Sequence, residues 1–377
     1  MTIAKTIVII ISNTKILKTF SIFLFFSLSA LSIFSQNKGI ADFPIDFDDN
    51  IRGFNAMRIV FYNTENLFDP ADDSLKFDES FTPEGMNHWS KHKYWVKQKK
   101  LAQVISAVGG WEAPAIVGLC EVENRHVLIN LVGNTALKKY KYSIIHHESP
   151  DRRGIDVALI YRKEKFQLLS DTAYQVRFPF DTTSRTRDIL YIKGLTLDSD
   201  TLHIFVTHWP SKYGGAFITI PKRKYVAKRI KSYTDEILSN NTNAKILIMG
   251  DLNDNPKDES VMQGLKPKPI ENYKEGDLIN LMLPLMDNKI GSHFYSGTTG
   301  NEWSVLDQMI VSSGLLDNDS KLKVKNNKAH IFTASFLLEY NKEGILVPNR
   351  TFHGMKYHGG FSDHMPVYLD IENRIKE

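Results

Sequence analysis

The run Lys245-Ile246-Leu247-Ile248-Met249 ends in Gly250-Asp251-Leu252-Asn253, so a short apolar segment stops at an acid and an amide. A continuous apolar run of this length reads as a fully buried strand, and a buried strand needs layers on both sides of its sheet. Near the other end of the chain, Ser362-Asp363-His364 stands in front of Met365, Val367 and Leu369, so another strand opens at an acid and a histidine. Two buried strands with polar chemistry at their ends point to one shared site.

The same pattern recurs along the chain. Short apolar runs rich in β-branched and aromatic residues predict strands at Arg58 to Tyr62, Ala115 to Cys120, Asp156 to Tyr161, Leu202 to Thr207, Asp307 to Val311 and Pro366 to Ile371. Leu101, Val104, Ile105 and Val108 fall at offsets 0, 3, 4 and 7, and Val226, Ile230, Tyr233 and Ile237 repeat the spacing, which predicts two amphipathic helices lying on a sheet. Strands outnumber helices and no composition break divides the chain, so a single α/β domain is expected. Loops are expected at 63–90, 147–154, 179–188, 208–222 and 312–360. Residues 312–350 read as a surface insertion with a hairpin.

The 377 residues are 42% apolar, ample for a continuous core. Lys15 and Lys18 precede an uncharged run from Thr19 to Phe34 that ends at Ser35, the pattern of a cleavable secretory signal over 1–35. The competing reading is an uncleaved anchor, which the run is short for, since about 20 residues are needed to span a bilayer. A linker over 36–57 and a catalytic domain over 58–377 follow. The expected location is secreted or periplasmic, with no membrane span after cleavage. Losing Lys5, Lys15 and Lys18 lowers the formal charge from +4 to +1, so attraction for phosphate must come from local patches and bound metal. Cys120, the only cysteine, lies in an apolar run and reads as a buried, inert thiol.

Polar residues collect where the strands end. Asn63, Glu65 and Asn66 follow the first strand, Glu121 and Glu123 the second, and His208 the fourth; Asp251, Asn253 and Asp254 follow the fifth, and Asp307 opens the sixth. Hard oxygen donors without a cysteine or paired-histidine cluster suit Mg²⁺, with Mn²⁺ or Ca²⁺ as alternatives, better than structural zinc.

The ordered series YNTENLFD (62–69), GLCEVEN (118–124), RRGIDVALIYR (152–162), THWPSKYGG (207–215), GDLND (250–254), LDQMI (306–310) and GGFSDHMPV (359–367) resembles the endonuclease/exonuclease/phosphatase superfamily, the DNase I-like fold. The resemblance implies a four-layer α/β/β/α sandwich, two mixed β-sheets face to face with outer helices, and metal-dependent hydrolysis of phosphate esters. By the same resemblance, Glu121 matches a metal-binding glutamate, Asn63 and Glu65 match residues that support the metal or contact phosphate, and Asp363 lies near the ion. Asp251 matches the aspartate that orients or deprotonates the attacking water, and Asn253 the amide that holds a phosphate oxygen. His364 matches the histidine that stabilises the transition state or protonates the leaving group, Asp307 the acid that orients it, and His208 a second histidine of the DNase I branch. Asp156 is a candidate partner for His208.

A nuclease acting on DNA or RNA is the expectation, with no stable protein partner implied. The alternative is an enzyme for phospholipid, sphingolipid or inositol phosphate head groups, because one catalytic core serves many esters. Trp89, Trp95 and Phe180 are the sequence's hints of exposed aromatics for a lipid surface. A catalytically silent scaffold would have lost some of Glu121, Asp251, Asn253, Asp307 and His364, and all are present. His88 to Lys100 combines lysines with Trp89, Tyr94 and Trp95, which fits either phosphate contact with base stacking or the two faces of an ordinary helix. Lys222 to Lys231 reads as a solvated helix face, and Arg153 and Lys212 are candidates for substrate phosphate.

Overall fold

The computed structural model describes Phe47 and residues 56–373, apart from 198, 298, 299, 318 and 319. The signal expected at 1–35, and nearly all of the linker expected at 36–57, lie outside the described residues. Along the chain run β1 (Met57–Leu67), α1 (Lys91–Gly109), β2 (Ile116–Val122), α2 (Arg125–Gly133), β3 (Ser143–His146), β4 (Asp156–Tyr161), β5 (Phe166–Tyr174) and β6 (Ile189–Thr196). Next come β7 (Thr201–His208), α3 (Ala216–Asn240), β8 (Lys245–Asp251), β9 (Leu278–Asn280), β10 (His293–Gly297), β11 (Gly300–Ser304) and β12 (Asp307–Ser312). The chain closes with β13 (Leu322–Ile331), β14 (Leu338–Tyr340), β15 (Leu346–Pro348), β16 (Phe352–His353), β17 (Lys356–Tyr357) and β18 (Val367–Asn373).

Two mixed six-stranded sheets result, one in the order β13-β18-β1-β2-β4-β3 and the other β5-β6-β7-β8-β12-β9. β1 with β2, and β7 with β8, are the parallel pairs within them. Ile59, Phe61, Leu159 and Leu369 of the first sheet share one buried cluster with Ile204, Leu247, Met249 and Met309 of the second, so the sheets pack face to face. On the outer face of the second sheet, Val226, Ile230 and Leu238 of α3 cover Phe205, Ile246 and Ile248. Those strands are therefore apolar on both faces, as the uninterrupted Lys245 to Met249 run requires. α1 buries Leu101, Val104, Ile105 and Val108 and packs on β1. The fold is the four-layer sandwich of two facing sheets and outer helices.

Several expectations need correction. Residues 322–331 are not a surface insertion: β13 pairs antiparallel with β18 along the edge of the first sheet, and a bulge between Val324 and Ala329 hides its alternation. α2 went unrecognised because it is only nine residues long, although Asn124 caps it by accepting from the Val127 amide at 3.0 Å. α3 begins at Ala216, inside an expected loop, and carries Pro221 in its second turn. Trp89 is fully buried, its indole N–H donating to Phe68 O at 2.9 Å, so it offers nothing to a lipid or a base. In α1, Tyr94, Lys97 and Gln98 are buried as well, which favours the ordinary-helix reading of that stretch. Among the described residues, no helix is long and apolar enough to cross a membrane.

Candidate active site

The second sheet aligns three site residues by register. Parallel pairing sets His208 beside Asp251, and antiparallel pairing sets Asp307 on Asp251's other side. Residues directly opposite on neighbouring strands share a face, so the three side chains form a row across the strand ends. His208 Nε2 lies 3.5 Å from Asp251 Oδ2. Asp307 Oδ2 meets His364 Nδ1 at 2.7 Å, leaving His364 Nε2 3.8 Å from Asp251 Oδ2. The His364 amide donates to Ser362 Oγ at 3.1 Å, and that hydroxyl donates to Asn63 O at 2.8 Å, which ties the turn before β18 to β1.

The first sheet delivers its residues from irregular backbone. The β1–β2 register shifts between Asn63 and Leu67, and β2–β4 shifts between Cys120 and Val122. Glu65, Asn66 and Glu121 have φ of 49°, 59° and 59°, and Asn253, just past β8, has 52°. Left-handed backbone is costly for residues other than glycine, and bulges of this sort re-aim side chains at sheet ends. Here they turn Asn63 Nδ2 onto Asp251 Oδ2 at 3.1 Å and the Asn66 amide onto Glu121 Oε2 at 2.9 Å. Asn253 donates its amide N–H to Asp251 Oδ1 at 2.9 Å and its side-chain Nδ2 to Trp209 O at 3.0 Å.

The two imidazoles are driven apart electrostatically. Burial opposes a charge on His364, but Asp307 and Asp251 outweigh it and hold its pKa well above the ordinary value. Burial pushes His208 well below that value, and the nearby Arg187, Arg153 and charged His364 act in the same sense. Asp251 is raised to about 6 by burial, against the attraction of His364. At neutral pH the site therefore holds an imidazolium, a neutral imidazole and a carboxylate between them. His208 Nδ1 is buried without a hydrogen-bond partner.

The four residues expected around a metal divide into two pairs. Glu65 gives Oε1 to Arg350 at 3.2 Å and Oε2 to the Thr351 amide at 2.7 Å, while Asp363 Oδ2 accepts from Arg350 at 2.8 Å. Glu121 is less committed: Oε2 holds the Asn66 amide, and Oε1 faces His208 Nε2 at 4.0 Å. Asn63 Oδ1 accepts from the Glu65 amide at 2.9 Å and keeps a second lone pair. The Glu121 carboxylate and the Asn63 amide oxygen are hard donors of the kind that fit a divalent ion.

Asp156 does not reach His208. It accepts from the Ser149 amide at 2.8 Å and pairs with His146 Nε2 at 3.1 Å, because its strand end lies next to β3. Glu123 is buried: it accepts from the Asp69 amide at 2.6 Å, and burial followed by its acidic neighbours raises it to about 9. Lys212 is occupied by Asp254 and Asp258, each at 3.2 Å, whereas half-exposed Arg153 lies 3.8 Å from Asp151. Cys120 is fully buried, and burial raises its thiol well above the usual range. Three cations escaped the sequence reading. Arg350 bridges Glu65 and Asp363; Lys97, pushed down to about 8 by burial, lies 3.9 Å from Glu65; Arg187 pairs with Asp151 at 3.1 Å. Lys97 sits within a helical run of lysines and Arg350 in an unfamiliar loop, so neither had a local signal.

Solved structures with this architecture include an endonuclease/exonuclease/phosphatase family protein from Bacteroides thetaiotaomicron, at 16% identity and TM-score 0.53 over 84% of this chain and 97% of that one. A mannosyl-6-phosphatase from the same organism matches at 15% identity and TM-score 0.52, covering 84% of this chain and 99% of the other. D. rerio TDP2, solved with single strand DNA product, matches at 13% identity and TM-score 0.51 with the same coverages. These identities establish a shared fold. No curated protein matches the sequence. The family model described as "Endonuclease/Exonuclease/phosphatase family" spans residues 58–373, the whole sandwich with both sheets' site residues, and the chain belongs to that family of phosphate-ester hydrolases.

Proposed function

We propose that this protein is a secreted, divalent-metal-dependent phosphodiesterase that hydrolyses DNA or RNA. The observation that carries the reading is the pair of imidazoles flanking one carboxylate, His364 at 3.8 Å and His208 at 3.5 Å from Asp251 Oδ2. With a pKa near 6, Asp251 is largely ionised at neutral pH and accepts the proton of the attacking water. His364, kept charged by Asp307, offers its Nε2 proton to developing charge on phosphorus or to the leaving oxygen. Neutral His208 and the Asn253 amide hold a phosphate oxygen. Mg²⁺, or Mn²⁺ or Ca²⁺ in its place, held by Glu121 and Asn63 with Glu65 and Asp363 alongside, would neutralise charge on the phosphate. No serine or cysteine nucleophile stands in the constellation, so attack is by water with inversion at phosphorus.

The DNA or RNA reading is favoured by the likeness to D. rerio TDP2, which was solved with a single strand DNA product. The second reading, a lipid phosphoesterase, draws on Tyr213, Phe217 and Ile218, which are 92%, 89% and 71% exposed shortly after His208. Export rests on the apolar run from Thr19 to Phe34.

The deciding experiment offers the purified protein plasmid DNA, RNA, sphingomyelin, inositol phosphates and a sugar monophosphate, each with Mg²⁺, Mn²⁺ or Ca²⁺ and with EDTA. Metal-dependent cleavage of plasmid or RNA supports the nuclease. Turnover of lipid or inositol phosphate with intact nucleic acid replaces it with the second reading, and turnover of the sugar phosphate alone overturns both.

A further inference from the structure

Outside the catalytic site, two imidazoles converge on one carboxylate. His353 Nε2 lies 3.0 Å from Glu339 Oε1, and His358 Nε2 lies 2.7 Å from Glu339 Oε2. One nitrogen of each ring and one Glu339 oxygen all fall within 4.8 Å of one another, and the ring centroids are 4.8 Å apart.

Strand alternation explains the arrangement. In the β16–β17 hairpin, Phe352 pairs with Tyr357 and both rings pack against Trp89. His353 and His358 are each the next residue along, so alternation turns both imidazoles to the opposite, outer face. Gly354 and Gly359, with φ of 59° and 75°, make the turns that keep them together, and β14 brings Glu339 up to them.

We propose that Glu339, His353 and His358 form a second metal site, selective for a borderline divalent transition ion such as Zn²⁺. Two imidazoles and one carboxylate are a three-residue ligand set that such an ion accepts, with water completing a tetrahedron. Both rings are about half exposed, so an ion has an open route in and a place for that water. Binding displaces the proton from each Nε2, and Glu339 exchanges its two hydrogen bonds for one ligand bond. The catalytic donors, oxygen-rich and built around Glu121, suit a harder ion, so the two sites differ in what they select.

The site has a mechanical link to the catalytic one. The His358 amide donates to Thr351 O at 2.9 Å, and the Thr351 amide donates to Glu65 at 2.7 Å. The Gly360 amide likewise donates to Arg350 O at 3.1 Å. An ion joining β14 to this hairpin therefore braces the segment that presents Arg350 and Thr351 to Glu65.

The test is Zn²⁺ binding by equilibrium dialysis with metal analysis, on the full protein at pH 7.5. Glu121→Gln is the background that weakens the catalytic site. That variant should retain about one Zn²⁺, and adding His353→Ala with His358→Ala should remove it. Glu339→Gln, which preserves shape, should weaken the same equivalent by about tenfold or more. Circular dichroism should be unchanged on adding His353→Ala and His358→Ala, since both side chains are about half exposed. Equal Zn²⁺ stoichiometry with and without the histidines, or no bound Zn²⁺ in Glu121→Gln, would overturn the proposal.

Discussion

The two sheets build one site by different means. In the second sheet, regular pairing of β7, β8 and β12 puts His208, Asp251 and Asp307 side by side, with no non-glycine residue in left-handed backbone within those strands. In the first sheet, β1 and β2 reach the site only after bulges, with Glu65, Asn66 and Glu121 all left-handed. In the proposed reaction the regular half sets proton transfer, because its spacing holds the carboxylates and imidazoles at fixed separations. The strained half aims oxygen donors, and strain of this kind persists only where surrounding hydrogen bonds over-determine it. Substitutions in the regular half should therefore cost rate with little loss of stability, and substitutions in the bulged half should cost both.

The largest effect falls on the regular half's partner histidine. His364→Ala should lower turnover by about 10²- to 10⁴-fold, the usual worth of a positioned acid, with the melting temperature nearly unchanged. Asp307→Asn sharpens the point through pH. Asp307 stabilises the imidazolium, so its neutral replacement lowers the pKa of His364. The wild-type rate should rise as Asp251 ionises near pH 6 and hold well above neutrality, whereas the variant should lose rate from the alkaline side first. A Asp307→Asn profile that merely scales down at every pH would remove Asp307 from this role.

Next in size is Glu121→Gln, which removes charge from the least committed oxygen donor while keeping its shape. The metal concentration for half-maximal rate should rise by about 10- to 100-fold, with saturating metal restoring part of the activity. Unchanged metal dependence would assign the ion to Glu65 and Asp363 instead.

These predictions also mark what local sequence could reveal. Asp251, Asp307 and His208 were legible because each stands at the end of an apolar run, and regular strands carry that order into space unaltered. Glu121 was legible as a residue, but its left-handed φ was not, since a bulge is decided by pairing partners far away in sequence. Arg350 meets Glu65 across 285 positions and Lys97 meets Thr351 across 254, contacts without any local pattern. β13 was misread for a related reason: Asn326 and Asn327, both with positive φ, interrupt the alternation that would have announced an edge strand. The central strands of both sheets were readable apart from β6; the edge strands and the cations behind the site came only with tertiary pairing.

Asn66 tests the bulge directly, because it carries no proposed catalytic role while its amide orients Glu121. Asn66→Val places a β-branched side chain at φ 59°, which should cost about 1–2 kcal/mol of stability. In a domain of this size that lowers the melting temperature by about 2–4 °C per kcal/mol. Affinity for the activating metal should fall with it, whereas Asn66→Gly, which accepts that φ, should nearly match the wild type. Equal behaviour of the two variants would mean that the bulge is not under strain.

The smallest effect on turnover concerns Glu123, just beyond the same bulge. Its folded pKa of about 9 stands above the ordinary glutamate value of 4.5, because burial and then Asp69, Asp78 and Asp73 oppose its charge. The folded state therefore binds a proton that the unfolded state has released, and stability must fall as pH rises from about 4.5 to 9. Glu123→Gln keeps an oxygen for the Asp69 amide and removes the titration. Thermal melts of the two proteins should coincide at pH 4.5 and diverge steadily above it, the variant melting higher by a margin that grows at each step to pH 8. A gap that stays constant across this range would show that Glu123 is ionised in the folded protein, and that the bulged half of the site tolerates one more negative charge than its geometry implies.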